Sequence, residues 1–131
     1  MIGIDSNVLV RYLCRDDPNQ TALADQLIEQ RLSLEEQGFI SAIVIAETAW
    51  VLRRSYRWST LQLADAMELL LAAGTLVVEN SQAVAEAVTM VRQGRGDFTD
   101  ALIGAAARKA GCSQVMTFDR GALRLPGFQH A

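Results

Sequence analysis

The chain has 131 residues, half of them hydrophobic, which is enough for one compact core without disulfides or structural metal. Its net charge of −3 offers no long-range attraction to nucleic acid, so a polyanionic substrate would need local arginines or bound cations. The single histidine, His130, leaves Ser-His-Asp, Cys-His and H-E-x-x-H chemistries without a usable base. Cys14 and Cys112 form no C-x-x-C pair and no zinc spacing, and both are expected as buried, inert thiols.

In chain order, residues 1–5 (MIGID) read as a short buried strand ending on a carboxylate. Ser6 and Asn7 can cap a helix that Asp16-Asp17-Pro18 breaks. Asp17 as N-cap, Pro18 at the first helical position and Gln20 at capping-box spacing open the next helix. Its candidate apolar positions are Ala22, Leu23, Leu27, Ile28, Leu32 and Leu34, and Gly38 is its stop. Residues 39–41 form a second strand, and Ser41 caps a helix over 42–54. Ser59 with Gln62 spells a further capping box for a helix to about residue 73, with Gly74 just beyond its end. A β-branched strand follows over 75–79, then a helix capped by Asn80 or Ser81 and running to about 93. Gly94-Arg95-Gly96 is a loop, 97–110 an Ala-rich helix ended by Gly111, and 114–118 a strand ending at Asp119. Residues 128–130 complete the chain as an edge strand. Short apolar strands alternating with helices predict a single α/β domain over 1–131 with a parallel sheet covered on both faces. With no leader-like start and no long apolar run, a cytoplasmic setting is expected.

Acids stand where core packing does not ask for them. Asp5 and Asp119 each follow a strand directly, where open α/β sheets bind ligands; each also fits a helix or turn cap. On a helix over 42–54, Glu47 has Ile43, Val44, Trp50 and Val51 three and four residues away, so it is expected within the core-facing stripe. Asp97 and Asp100 share a face at the first turn of their helix. Asp97 is a natural N-cap, whereas Asp100 stacks towards Ile103, Gly104 and Ala107, a small-residue face suited to close packing on a sheet. Clustered carboxylates repel unless a cation lies among them. An all-oxygen donor set favours Mg²⁺ or Mn²⁺ and the logic of metal-assisted phosphodiester hydrolysis.

Four segments in order, MIGIDSNVLVRYLCRDDP, SAIVIAETAWVL, GDFTDALIGAAARKAGC and VMTFDRGALRLPG, resemble the motifs of PIN-domain proteins of the VapC toxin type, over essentially the whole chain. The resemblance implies a three-layer α/β/α sandwich with a central parallel sheet of four to five strands. It also implies a Mg²⁺- or Mn²⁺-dependent endoribonuclease that hydrolyses RNA by metal-activated water and is the toxin of a toxin–antitoxin pair. Motif by motif, Asp5, Glu47, Asp100 and Asp119 match the family's four acids, and Asp97 an additional acid of many members. Ser6 stands where the family has Thr or Ser and is expected to orient Asp5 or a metal-bound water, and Thr117 to do similar work behind the acids. A homodimer and a small VapB-like antitoxin are implied as partners, with DNA reached only through the antitoxin.

Arg53, Arg54 and Arg57, interleaved with Tyr56 and Trp58, are the candidate RNA-contacting lip; an ordinary basic helix end accounts for them as well. Eleven of the twelve basic residues are arginines, a skew that codon bias explains more simply than function does. A non-catalytic PIN-fold module acting through a partner protein is the alternative. A haloacid dehalogenase-type phosphatase is disfavoured, since it needs a second Asp two residues after Asp5, where Asn7 stands.

Overall fold

The computed structural model describes residues 1–131. Its chain divides into two compact units, residues 1–57 with 69–79, and residues 58–68 with 80–131. All five strands pair in parallel, three in the first unit and two in the second, so the expected α/β class with parallel strands is what forms.

In the first unit β1 (Ile2–Gly3), β2 (Gly38–Ile40) and β3 (Leu76–Val78) lie in that order, with Ile2 opposite Gly38 and Gly38 opposite Leu76. Parallel pairing brings the carboxyl ends of all three to one edge, where Asp5, Ser41 and Glu79 follow. Helix α1 (Ser6–Cys14) ends at Arg15, which takes a left-handed conformation. Helix α2 (Pro18–Asp25) starts on an Asp17 side chain that accepts the Gln20 N–H at 3.0 Å. The reciprocal arm of that capping box is not made, because the Gln20 side chain accepts the Arg11 Nε–H at 2.6 Å instead.

The helix does not run on to Gly38. It widens into a π-helical turn over Gln26–Arg31, closed by the Leu32 N–H reaching back to Leu27 O, and then stops. Leu32 turns extended and becomes buried, and a Cβ placed on Gly38 would lie 2.8 Å from its Cδ1. Burying Leu32 over β2 thus competes with continuing the helix, and wins. Leu23 and Leu34, expected as core, are exposed.

Helix α3 (Ala42–Arg54) has the expected bounds and the expected cap, with Ser41 Oγ accepting the Val44 N–H at 3.2 Å. Its buried face is Ile45, Thr48, Ala49 and Leu52. Ile43 is 78% exposed and Trp50 56% exposed. Glu47 lies on that outer face and is exposed, so its expected place in the core stripe is wrong. A helix apolar on several sides leaves its inward face undecided by local periodicity. Helix α4 (Thr60–Ala72) opens on a complete capping box, with Ser59 N–H to Gln62 Oε1 at 2.8 Å and Gln62 N–H to Ser59 Oγ at 3.1 Å.

In the second unit α5 (Ser81–Arg92) packs on α6 (Phe98–Lys109), and both helices bury small residues, Ala83 and Ala87 on α5 and Ala101 and Ala105 on α6. Strands β4 (Val115–Thr117) and β5 (Phe128–His130) pair in parallel, joined through a 3₁₀ turn over Gly121–Arg124. Gly104 allows α6 to approach β5, since a Cβ there would lie 2.8 Å from Phe128 Cε2. Cys112 is exposed in the turn after α6 and Cys14 only half-buried, against the expectation of two buried thiols. Burial also pushes the Cys14 thiol up to about 11. No helix is long and apolar enough to cross a membrane.

Two substitutions test this packing. Gly38→Ala sets a methyl against Leu32, Leu76 and Ile4 at 2.8–3.1 Å, and a chemical denaturation midpoint should show a loss of about 1–3 kcal/mol. Thr48 is fully buried and its hydroxyl has no hydrogen-bond partner. Thr48→Val should therefore stabilise the protein by roughly 1 kcal/mol in the same measurement.

Candidate active site

The second unit carries three of the expected acids, Asp97, Asp100 and Asp119. Asp97 takes the N-cap position of α6 with extended backbone, but its side chain makes no capping bond to the first turn, unlike the natural N-cap it was expected to be. Asp100 stands one turn further, half-buried, at the border between the buried residues Ala101 and Gly104 and the half-exposed Ile103. Its carboxyl is raised above the ordinary aspartate value, first by burial, then by the charges of Asp119 and Asp97. The positive end of a helix normally favours an ionised acid; here desolvation and like charge outweigh it.

Asp119 follows β4 on an exposed bend. Its backbone N–H donates to Thr117 Oγ1 at 3.0 Å, and its Oδ1 accepts the Gly121 N–H at 2.8 Å. The capping geometry anticipated from sequence therefore exists, and it fixes the direction of a carboxylate that Asp100 senses. The turn does not exhaust Asp119; it aims it.

In the first unit Asp5 is the N-cap of α1, its Oδ1 accepting the Ser6 N–H at 2.7 Å and, at 3.4 Å, the Ser6 hydroxyl. Ser6 itself is buried while Asp5 is exposed. Glu47 is exposed on α3, on the same outer face as Trp50, whose ring carries the Arg54 guanidinium 5.6 Å from its centre. Glu79, not among the expected site residues, is a further acid directly after a strand. Its Oε1 accepts the Ala42 N–H at 2.7 Å, at the positive end of α3. An acid directly after a strand was the available signal, the same one that marks Asp5 and Asp119.

The expected lip is partly committed elsewhere. The Tyr56 hydroxyl donates to Asp16 Oδ2 at 2.6 Å and accepts from Arg11 Nη1 at 3.0 Å, closing a clamp that includes Gln20. Arg54 lies on Trp50, and Arg57 holds a left-handed backbone at φ 55°. Arg53 and Arg57 are exposed.

The donor chemistry of the acids fits a divalent cation. The groups are hard oxygens, and a cation would offset the burial and the like charge that raise Asp100. Within neither unit do three or more acidic, imidazole or thiol side chains already stand at cage spacing.

A family model described as the PIN domain matches residues 2–127. The chain is also similar to a VapC ribonuclease of Aquifex aeolicus strain VF5, at 26% identity over 117 residues that cover 89% of this chain and 86% of that protein.

The raised Asp100 has a stability consequence. A carboxyl that binds its proton more tightly folded than unfolded makes stability fall as pH rises through its titration. In chelator, Asp100→Asn should thus melt higher than wild type at pH 7, with the advantage shrinking as pH drops below the folded carboxyl's range. A melting temperature unchanged or lowered at pH 7 would show that Asp100 is not held against its charge.

Proposed function

The chain belongs to the PIN-domain family, and from that premise we propose that it is a metal-dependent endoribonuclease that hydrolyses RNA phosphodiester bonds and serves as the toxin of a toxin–antitoxin pair. The observation that supports this reading best is the half-buried Asp100 carboxyl raised beside Asp119 and Asp97. Such a cluster is costly to the fold and is what a cation-binding hydrolase needs. The likeness to a VapC ribonuclease supports RNA as substrate and a VapB-like antitoxin as partner. On the same footing we assign a homodimer, reaching DNA only through the antitoxin. The family match runs through residues of both units, which supports reading 1–131 as one PIN domain.

The residues proposed to hold Mg²⁺ or Mn²⁺ are Asp97, Asp100 and Asp119, with Asp5 and Glu47 as the family's remaining acids. The ion would supply Lewis-acid neutralisation of the phosphate and activation of water. Thr117 and the Gly121 amide hold Asp119 in one direction, so that little reorganisation remains when substrate arrives. Ser6 holds Asp5 through its N–H. Asp100 keeps a proton to higher pH than an ordinary aspartate, so metal affinity should rise as pH increases through that range. Arg53, Arg54 and Arg57 are proposed to meet the phosphate backbone. With a net charge of −3, affinity has to come from such local contacts.

Cleavage of an RNA and a matched DNA strand by purified protein tests this. RNA should be cut with Mg²⁺ or Mn²⁺, and chelator should abolish cleavage. Asp100→Asn and Asp5→Asn should each lower the rate at least about 100-fold, the order expected when transition-state charge stabilisation is lost. Cleavage indifferent to chelator and to both substitutions overturns the proposal. Alanine at Arg53, Arg54 and Arg57 together should weaken RNA binding and reduce its salt dependence by about one unit of slope for each phosphate no longer neutralised. An unchanged slope removes these arginines from the interface.

A further inference from the structure

Phe118 has no use in packing: its side chain is 80% exposed. It follows the last residue of β4, where the chain bends, and stands between the Thr117 whose hydroxyl takes the Asp119 N–H and Asp119 itself. The ring is nevertheless held. It meets the His130 ring edge-on, with centres 5.9 Å apart and planes at 83°, and His130 is the register partner of Thr117 on β5. An edge contact braces an aromatic ring while leaving most of its surface to solvent. Electrostatics then narrow what can lie on it. Asp119 is the next residue, and the charges of Asp119 and Asp97 both reach Asp100, so before a cation binds the local field disfavours a phosphate on the ring. A nucleobase is uncharged, and its stacking on an aromatic ring needs no favourable field. Arg120, on the far side of Asp119, is exposed and can meet the phosphate that such a base carries.

We propose that Phe118, braced by His130, is a stacking platform for one unpaired nucleobase beside the scissile phosphate. This rests on the ribonuclease reading above and adds a residue that selects and positions the strand. A base inside a duplex is already stacked and cannot be splayed onto the ring, so the contact discriminates against paired RNA.

The test uses the full chain and a single-stranded oligoribonucleotide carrying 2-aminopurine at successive positions. In chelator, wild type should quench 2-aminopurine fluorescence at one position near the cut, and Phe118→Leu should lose that quenching. In metal, Phe118→Leu should raise KM by about tenfold, the order expected when one base no longer stacks, with kcat less affected, and Phe118→Trp should restore both readouts. Leucine and tryptophan are chosen because they keep an apolar side chain at this exposed position. Wild-type cleavage with Phe118→Leu unchanged in KM and quenching overturns the platform while leaving the ribonuclease standing. A Phe118→Leu change in sedimentation mass with KM unchanged assigns the ring to a protein contact and overturns it equally. Absence of wild-type RNA binding and cleavage overturns the ribonuclease reading, and the platform with it.

Discussion

Asp100 is held half out of water on the first turn of α6, within reach of the charges of Asp119 and Asp97. Desolvation and like-charge repulsion both work against its ionisation, and a fold under selection for stability alone would place an amide there. The surrounding framework keeps the carboxyl where it is. Gly104 lets α6 settle against Phe128 of β5, and Thr117 with Gly121 fixes Asp119 at the end of the neighbouring strand. A cation among these oxygens would turn the repulsion into attraction, which is the physical content of the proposed activity.

Parallel pairing explains why acids recur at strand ends. In the first unit Asp5 and Glu79 follow strands that point the same way, and both accept backbone N–H groups at helix starts. In the second, Asp119 follows β4 and accepts the Gly121 N–H. Capping and chemistry are therefore not alternatives at these positions. A cap occupies one oxygen with a backbone donor and so directs the carboxylate, leaving its charge in place.

The elements themselves were readable wherever a local chemical signal existed. The Ser41 cap, the Ser59–Gln62 box and the bounds of α3 come from side chains that bond to amides three residues away, and such bonds need nothing distant. The misplacements share one cause. Apolar neighbours in sequence point Glu47 inward, and Leu23 and Leu34 are candidate positions of an apolar helix face, yet all three are exposed. Helix α3 has apolar residues on several sides, and only contact with other elements selected Ile45, Thr48, Ala49 and Leu52 as its buried face. Likewise the helix after Pro18 ended early because Leu32 found a partner surface at Gly38, six residues on and in another element.

By itself the sequence determined the α/β class, the alternation of strands and helices, and the identities of the acids, because each depends on residue type and short-range spacing. The motifs that carry the family resemblance are also local strings. Tertiary structure alone decided the division of five parallel strands into three and two, the outward turn of Glu47, the commitment of Tyr56 to Arg11 and Asp16, and the coupling of Asp100 to Asp119. Asp100 and Asp119 are far apart in the chain, and their interaction energy depends on distance and burial that no window of sequence contains.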